Sequence, residues 1–141
     1  MKPGKSRGQT AACLLAAVVL SAIGVRKADA SSVEGTWAIM NLALQIYDCD
    51  LLVCGKIVWM KDATRRASQC GKTIIWGLEP KGPTEWSGGS ILDPNDGKIY
   101  RLSATYEPDG ALHARIFVGV PVLGNTEILK RIDLRSLTEK C

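Results

Sequence analysis

Few residues in this sequence could perform covalent chemistry, and they do not form a recognisable catalytic group. A serine hydrolase needs a nucleophile, a base and an orienting group, and His113 is the one histidine in 141 residues. It falls on the opposite face of its predicted strand from Leu112 and Ile116, which favours a surface or rim position. Ser87 and Ser90 flank a glycine pair, but the G-x-S-x-G elbow of the hydrolases is missing. We therefore predict no catalytic residues and no enzymatic activity.

Two other groups have side chains that bind metals in some proteins. Asp93 and Asp96 could belong to a calcium loop, but the twelve-residue pattern that ends in Glu is missing. The run from Asp93 to Gly97 has instead the residues of a tight turn, with proline to fix φ and glycine for a positive φ. Cys49 and Cys54 have a spacing that some zinc sites use. We predict a structural turn, no metal site and no cofactor.

The first 30 residues have the organisation of a secretory signal peptide. Basic residues precede the apolar run 11–25, and Ala28-Asp29-Ala30 is a small-x-small cleavage pattern, with cleavage after Gly24 as the alternative. The run is short for a membrane span, which needs about 20 residues. We predict a signal peptide helix over 1–30 that is removed, and a single domain over 31–141. The mature protein would then be periplasmic or secreted, without a membrane span.

Removal of the signal changes the charge of the chain. The full sequence has 18 Lys and Arg against 14 Asp and Glu, and loss of five basic residues and one acidic residue leaves 13 of each. A neutral domain has no basic stripe with which to displace counterions from a nucleic acid. Nucleic-acid binding is therefore excluded from the predicted functions.

Four cysteines follow the predicted signal, and an even number in an exported chain indicates disulfides rather than zinc ligands. Cys49 and Cys54 flank a loop of hairpin length, so their α-carbons can face each other at disulfide distance. Cys70 lies near the far end of the strand that Cys54 opens, which is too distant for that pairing. We predict the bond Cys49–Cys54. Cys70 and Cys141 either pair with each other or remain free.

The remainder of the chain alternates between apolar and polar residues in short segments. We predict eight strands, at 35–40, 43–49, 52–60, 72–78, 84–92, 98–106, 111–120 and 126–134. The polar segment 61–69 is predicted as a solvated loop, and no helix is expected after the signal. Eight strands with hairpin-length connections favour an all-β fold, a small antiparallel up-and-down barrel, because closure removes both exposed edges.

A barrel of this size is just wide enough to be filled by side chains or to hold one small ligand. The period of two along each strand gives a tentative lumen lining for a small hydrophobic ligand, consisting of Trp37, Ile57, Trp59, Tyr100, Leu102 and Ile116. In the third strand Trp59 is predicted to share the inner face with Val53, Gly55 and Ile57. The pair Gly88 and Gly89 predicts a bulge or a sharp bend in the fifth strand.

The order of several motifs resembles the bacterial family known as domain of unknown function 2147. These motifs are Glu34-Gly-Thr-Trp37, Cys49, Cys54-Gly-Lys-Ile-Val-Trp59, Cys70-Gly71, Trp86-Ser-Gly-Gly89 and Asp93-Pro-Asn-Asp-Gly-Lys-Ile-Tyr100. The resemblance implies an exported protein with a lipocalin-like (calycin) β-barrel, in a family whose biochemical function is not established. Two departures are a shorter loop at 61–69 and Leu129-Lys130-Arg131 in place of a Trp-x-Arg strand. By analogy Arg131 would pack over one end of the barrel.

Two functions from different classes follow from these observations. The first is an exported binding protein that carries a small hydrophobic ligand in its lumen. The alternative is an envelope interaction protein or inhibitor without a ligand, which would contact a protein partner through loops such as 61–69. A hydrolase is the third and least favoured function, because no competent catalytic group is present.

Overall fold

The protein is an antiparallel β-barrel in which every strand pairs with its neighbours in sequence and the last strand pairs with the first. The structure is a computed structural model and describes Gly4 and residues 33–141. The strands are β1 (Gly35–Ile39), β2 (Leu42–Cys49), β3 (Leu52–Met60), β4 (Thr73–Pro80), β5 (Glu85–Leu92), β6 (Ile99–Tyr106), β7 (Leu112–Phe117) and β8 (Asn125–Arg131). The predicted all-β barrel of about eight strands is therefore confirmed, whereas the predicted signal peptide lies outside the described residues.

The contacts that close the barrel are few. β1 pairs with β8 through Trp37 opposite Arg131 and Ala38 opposite Lys130. β7 ends earlier than predicted, because Gly119 and Pro121 interrupt the pattern and a short 3-10 helix at Pro121–Leu123 follows. β8 is shorter than predicted because it ends at Arg131. A second 3-10 helix occupies Leu134–Ser136, where the eighth strand was predicted to end.

The prediction of a loop for segment 61–69 is wrong, because a helix, α1 (Ala63–Gln69), lies between β3 and β4. Asp62 caps it, and its carboxylate accepts a hydrogen bond from the Thr64 backbone amide at 3.0 Å. This is the arrangement that satisfies an otherwise unpaired amide at a helix start. The helix has no buried residue, so no apolar periodicity marks it in the sequence.

A bulge in β3 reverses the predicted orientation of Trp59. Ala43 of β2 lies opposite Trp59, but the next residue, Leu44, lies opposite Ile57, so Val58 is an extra residue on β3. An extra residue exchanges the inner and outer faces beyond it. Ile57 and Met60 are consequently in the core, whereas Trp59 is half-buried outside the core cluster.

The glycine pair in β5 coincides with a shift in register between β5 and β6. Gly88 has φ of +73°, which a residue with a side chain adopts only at a cost. Gly89 is needed for another reason, since a Cβ there would lie 2.6 Å from Cγ of Leu78. At the end of β5 the chain turns through Asp93–Gly97, and Gly97, with φ of +71°, donates its amide to the Asp93 carbonyl at 2.9 Å.

The C-terminal segment, residues 132–141, crosses the outside of β3 and is fixed there by several contacts. Cys141 forms a disulfide with Cys70, with 5.2 Å between α-carbons, and its amide donates to the Val58 carbonyl at 2.9 Å. Trp59 donates its indole N–H to the carbonyl of Thr138 at 2.8 Å. The pairing that the sequence left open is thus a bond between Cys70, the residue that ends α1, and this segment. Cys49 and Cys54 form the predicted hairpin disulfide.

Candidate ligand-binding site

The two ends of the barrel differ, and one of them is filled. At the end where β1 begins and β8 ends, Trp37 is completely buried and donates its indole N–H to the Val33 carbonyl at 2.8 Å. The guanidinium of Arg131 lies 4.3 Å from the centre of the Trp37 ring, and Tyr106 meets the same ring edge-on at 6.1 Å. Arg131 also donates to the Glu34 carbonyl at 2.5 Å. The position expected for Arg131 by analogy, over a barrel end, is the one observed, and this is the closed end.

The opposite end of the barrel opens into a cavity of about 900 Å³. The strands β1, β3, β5 and β7 end there, and the others begin there. The interior of the cavity is lined mainly by aliphatic side chains from five strands, namely Leu42, Leu44, Met60, Ile74, Ile91 and Ile116. Leu44, Met60 and Ile74 are almost completely buried, so the apolar lining extends into the core. Ligand sites in proteins commonly have volumes of about 300–1,000 Å³.

The rim of the cavity includes polar side chains from loops and from the start of β8. Asn41, Lys61, Asp93 and Asn125 contribute to it. The apolar interior and polar rim suit an amphipathic molecule, whose hydrocarbon part is buried while its polar end meets hydrogen-bonding groups and water.

Arg65 of α1 connects the helix to the β5–β6 turn across part of this rim. One guanidinium nitrogen donates to Oδ1 of Asn95 at 2.9 Å, and the other donates to the Pro94 carbonyl. Both acceptors are neutral, so the bonds position the helix without neutralising the cation. The sequence analysis placed Arg65 in a solvated loop. Its contacts with the β5–β6 turn depend on helix α1, which was not predicted.

Tyr100 and Asp96 form a hydrogen bond beside the cavity, in which the tyrosine hydroxyl donates to Oδ2 of Asp96 at 2.5 Å. The bond lowers the pKa of Asp96 and, with some burial, raises the pKa of Tyr100. Because the pKa of Asp96 is lower in the folded protein, this contact stabilises the fold at neutral pH. The contribution is lost as the pH falls from the ordinary carboxyl pKa through the lowered one.

We expect Asp96→Asn to lower the pKa of Tyr100 towards its ordinary value, since a neutral amide does not oppose formation of the phenolate. The measurement is an alkaline titration of tyrosinate absorbance, with Tyr100→Phe identifying the transition that belongs to this residue. Asp109→Asn is the control, because Asp109 caps the separate β6–β7 turn by accepting from the Ala111 amide. An unchanged Tyr100 titration in Asp96→Asn would contradict the observed hydrogen bond.

The six residues proposed for the lumen do not come together in one place. Tyr100 and Ile116 line the cavity. Trp37, Ile57 and Leu102 belong to the packed core and are at most 1% exposed. Trp59 is misassigned, because the β3 bulge turns it away from the core cluster towards Thr138. Of the three aromatic residues in the predicted lining, only Tyr100 contributes to the cavity, whose interior is lined mainly by aliphatic residues.

The residues that could do covalent chemistry remain dispersed. Nδ1 of His113 lies 3.8 Å from the Glu107 carboxylate, and both side chains are about one third exposed. Neither is among the residues that line the cavity. Within the part of the chain that the structure describes, no group of three His, Cys, Asp or Glu side chains could hold a metal ion. None of the helices there is long and apolar enough to cross a membrane.

Comparison with known proteins agrees with this architecture. Residues 35–131 match the family described as "Uncharacterized protein conserved in bacteria (DUF2147)". The fold is similar to that of HP1028 from Helicobacter pylori, a solved protein described as belonging to the lipocalin family. The TM-score is 0.60 at 13% identity, over 71% of this chain and 82% of that one. No match is found among curated proteins. The barrel is therefore lipocalin-like, and the chain belongs to the bacterial DUF2147 family.

Proposed function

We propose that this protein is an exported binding protein that holds a small, mainly hydrophobic molecule at the open end of its barrel. The observation that carries the proposal is the cavity of about 900 Å³ between the packed core and the open end. A barrel evolved only for stability would be expected to fill this space, because each unfilled volume in a core costs stability.

The distribution of polar groups supports one orientation of the ligand. The wall formed by Leu44, Met60 and Ile74 offers only apolar side-chain atoms, and Glu127 of β8 adds a carboxylate elsewhere in the lining. Hydrogen-bonding side chains such as Asn41 and Asn125 are found at the rim. A ligand with a hydrocarbon body and one polar end would therefore enter with its apolar part first, so that its polar end keeps hydrogen bonds.

Export and binding without turnover are part of the same proposal. Two disulfides in a chain of this size support an oxidising compartment, such as the periplasm or the exterior of the cell. Residues 1–30 supply the charged and apolar regions of a cleavable signal. The separation of His113 from the cavity lining supports a binding function, since a catalytic base has to reach the bound molecule.

The proposal is tested by filling the cavity. Ile116 lines the cavity from β7, so Ile116→Trp places a larger side chain inside it. We expect the variant to bind the neutral fluorescent probe N-phenyl-1-naphthylamine at least about tenfold more weakly than the original protein, a loss of about 1.4 kcal/mol. Ile128→Trp is the matched control, because Ile128 of β8 is 53% exposed and does not line the cavity. Probe titrations and thermal unfolding are measured for all three proteins.

A decrease in probe affinity in Ile116→Trp alone, with folding retained, would support the cavity as the binding site. Absence of probe binding in the original protein, or equal affinity in both variants, would contradict the proposal. Native mass spectrometry of protein purified from the envelope of its host then identifies the natural ligand as a bound mass. A small lipophilic adduct that Ile116→Trp lacks is the expected result.

A further inference from the structure

The loop between β7 and β8, residues 118–124, exposes an unusual concentration of aliphatic side chains. Val118, Val122 and Leu123 are 69%, 78% and 78% exposed, and Val120 is 51% exposed. Met40, in the adjoining β1–β2 turn, is 80% exposed. The segment 116–124 contains no charged residue. Isolated apolar residues at a surface are common, but a contiguous group of this kind indicates an interaction site.

The backbone of this loop is already supplied with hydrogen bonds from within the protein. Arg115 donates from Nε to the Pro121 carbonyl at 2.8 Å and from Nη2 to the Val122 carbonyl at 3.0 Å. Its Nη1 donates to Oγ1 of Thr126 at 3.0 Å, which fixes the guanidinium beneath the loop. Polar groups that are bonded internally cost less to remove from water. The loop therefore presents its apolar side chains on a backbone that is already held in place by hydrogen bonds.

The exposed side chains of the loop also continue into the cavity. Val118, Leu123 and Met40 are exposed to solvent and at the same time line the cavity mouth. An apolar surface therefore runs from the outside of the loop to the aliphatic interior. A hydrophobic molecule could move along it without full exposure to water.

We infer that residues 118–124 and Met40 dock the open end of the barrel onto a lipid bilayer. A second copy of the chain fits less well, because five side chains are far fewer than the roughly 20–30 residues that each partner contributes to a stable protein complex. A bilayer needs only shallow insertion of apolar side chains at its interface. The docking itself does not require a ligand. The further statement that this bilayer supplies the ligand of the cavity, an amphipathic lipid, rests on the proposed function.

Charge determines which bilayers should be bound. The domain after residue 30 has equal numbers of acidic and basic residues, and the loop itself has none. Docking would therefore depend on apolar insertion and not on attraction to anionic lipids. We expect binding to vesicles of phosphatidylcholine alone, with little change when salt is raised, because salt screens charges and does not weaken apolar insertion.

The experiment is flotation with phosphatidylcholine vesicles, using protein purified from its host in the form that the cell contains. In the double variant Val120→Asp and Val122→Asp, two charges enter the loop at positions that do not line the cavity. We expect its partition coefficient to fall at least about tenfold. Leu51→Asp with Leu52→Asp is the matched control, since these leucines are 92% and 39% exposed at the other end of the barrel. The control should float like the original protein.

Three results would overturn the inference. The original protein could fail to float, the two double variants could lose binding equally, or sedimentation could show a dimer that only the loop variant dissociates. The last result would identify the loop as a self-association surface. All variants share the same N-terminus, so any contribution from residues 1–30 is common to them and cancels.

Probe binding by the same proteins separates this inference from the proposed function. The loop variant should keep its affinity for N-phenyl-1-naphthylamine while it loses vesicle binding. Ile116→Trp should show the reverse, with flotation retained and probe affinity lost. If the original protein fails to float while Ile116→Trp loses affinity for the probe, only the docking inference is wrong. If flotation depends on the loop while Ile116→Trp still binds the probe, only the proposed cavity function is wrong.

Discussion

Replacing Trp37 with alanine is expected to lower the free energy of unfolding by about 3–5 kcal/mol. The indole is 0% exposed and forms the centre of the closed end. Its removal leaves a cavity, deprives the Val33 carbonyl of its donor at 2.8 Å, and removes the ring on which the Arg131 guanidinium lies at 4.3 Å. Such a loss is a large part of the stability of a typical domain. Urea unfolding followed by circular dichroism measures it.

Trp59→Ala is the control for this prediction. Trp59 is half-buried on the outside of β3 and makes one indole hydrogen bond, to Thr138. We expect it to cost about 1 kcal/mol, the net value of a typical hydrogen bond with some lost packing. Equal losses in the two variants would contradict the assignment of Trp37 to the core and Trp59 to the exterior.

Removing the Cys70–Cys141 disulfide is expected to have the second large effect. The bond joins residues separated by 71 positions, and in the chain-entropy model a loop of this length contributes about 4 kcal/mol. Cys49–Cys54 joins residues separated by 5 positions, for which the same model gives about 2 kcal/mol. Serine replacements of each pair, compared by urea unfolding under oxidising conditions, measure both contributions.

The order of the two losses is the decisive result. The long-range pair should destabilise the protein by about 2 kcal/mol more than the hairpin pair. An equal loss in both variants would contradict the chain-entropy account of the two bonds. A difference in the predicted direction would support it.

The arrangement of strands could be predicted because it depends on local patterns. Alternation along β6, where Leu102 and Ala104 are buried and Arg101 is exposed, is visible in the sequence. The turn residues between Asp93 and Gly97 are equally local. Closure of the barrel follows from a general argument about exposed edges.

The features that were missed or left open depend on contacts between distant parts of the chain. The bulge at Val58 carries no glycine to mark it, and it changes the face of Trp59. Helix α1 has seven residues and none of them is buried, so it has no apolar pattern. Cys141 reaches Cys70 only after the barrel has brought β3 beside the C-terminal segment. No local signal in the sequence could have shown that contact.

Part of the candidate site was beyond prediction for a similar reason. Period-two alternation identifies which side chains point inwards, but not the height along the barrel axis at which packing ends. Leu102 and Ile116 lie directly opposite each other in the β6–β7 ladder. Only Ile116 lines the cavity, whereas Leu102 is 1% exposed in the core. Residue type does not distinguish them.

The position of the two disulfides in the chain imposes an order on their formation. Cys49 and Cys54 belong to one hairpin, so they can be oxidised as soon as β2 and β3 have emerged during synthesis or translocation. Cys70 emerges soon afterwards, but its partner Cys141 follows β8. For the time needed to produce five further strands, Cys70 is a thiol without its partner. Early closure of the hairpin leaves Cys70 no free cysteine among residues 33–69 with which to form an incorrect bond.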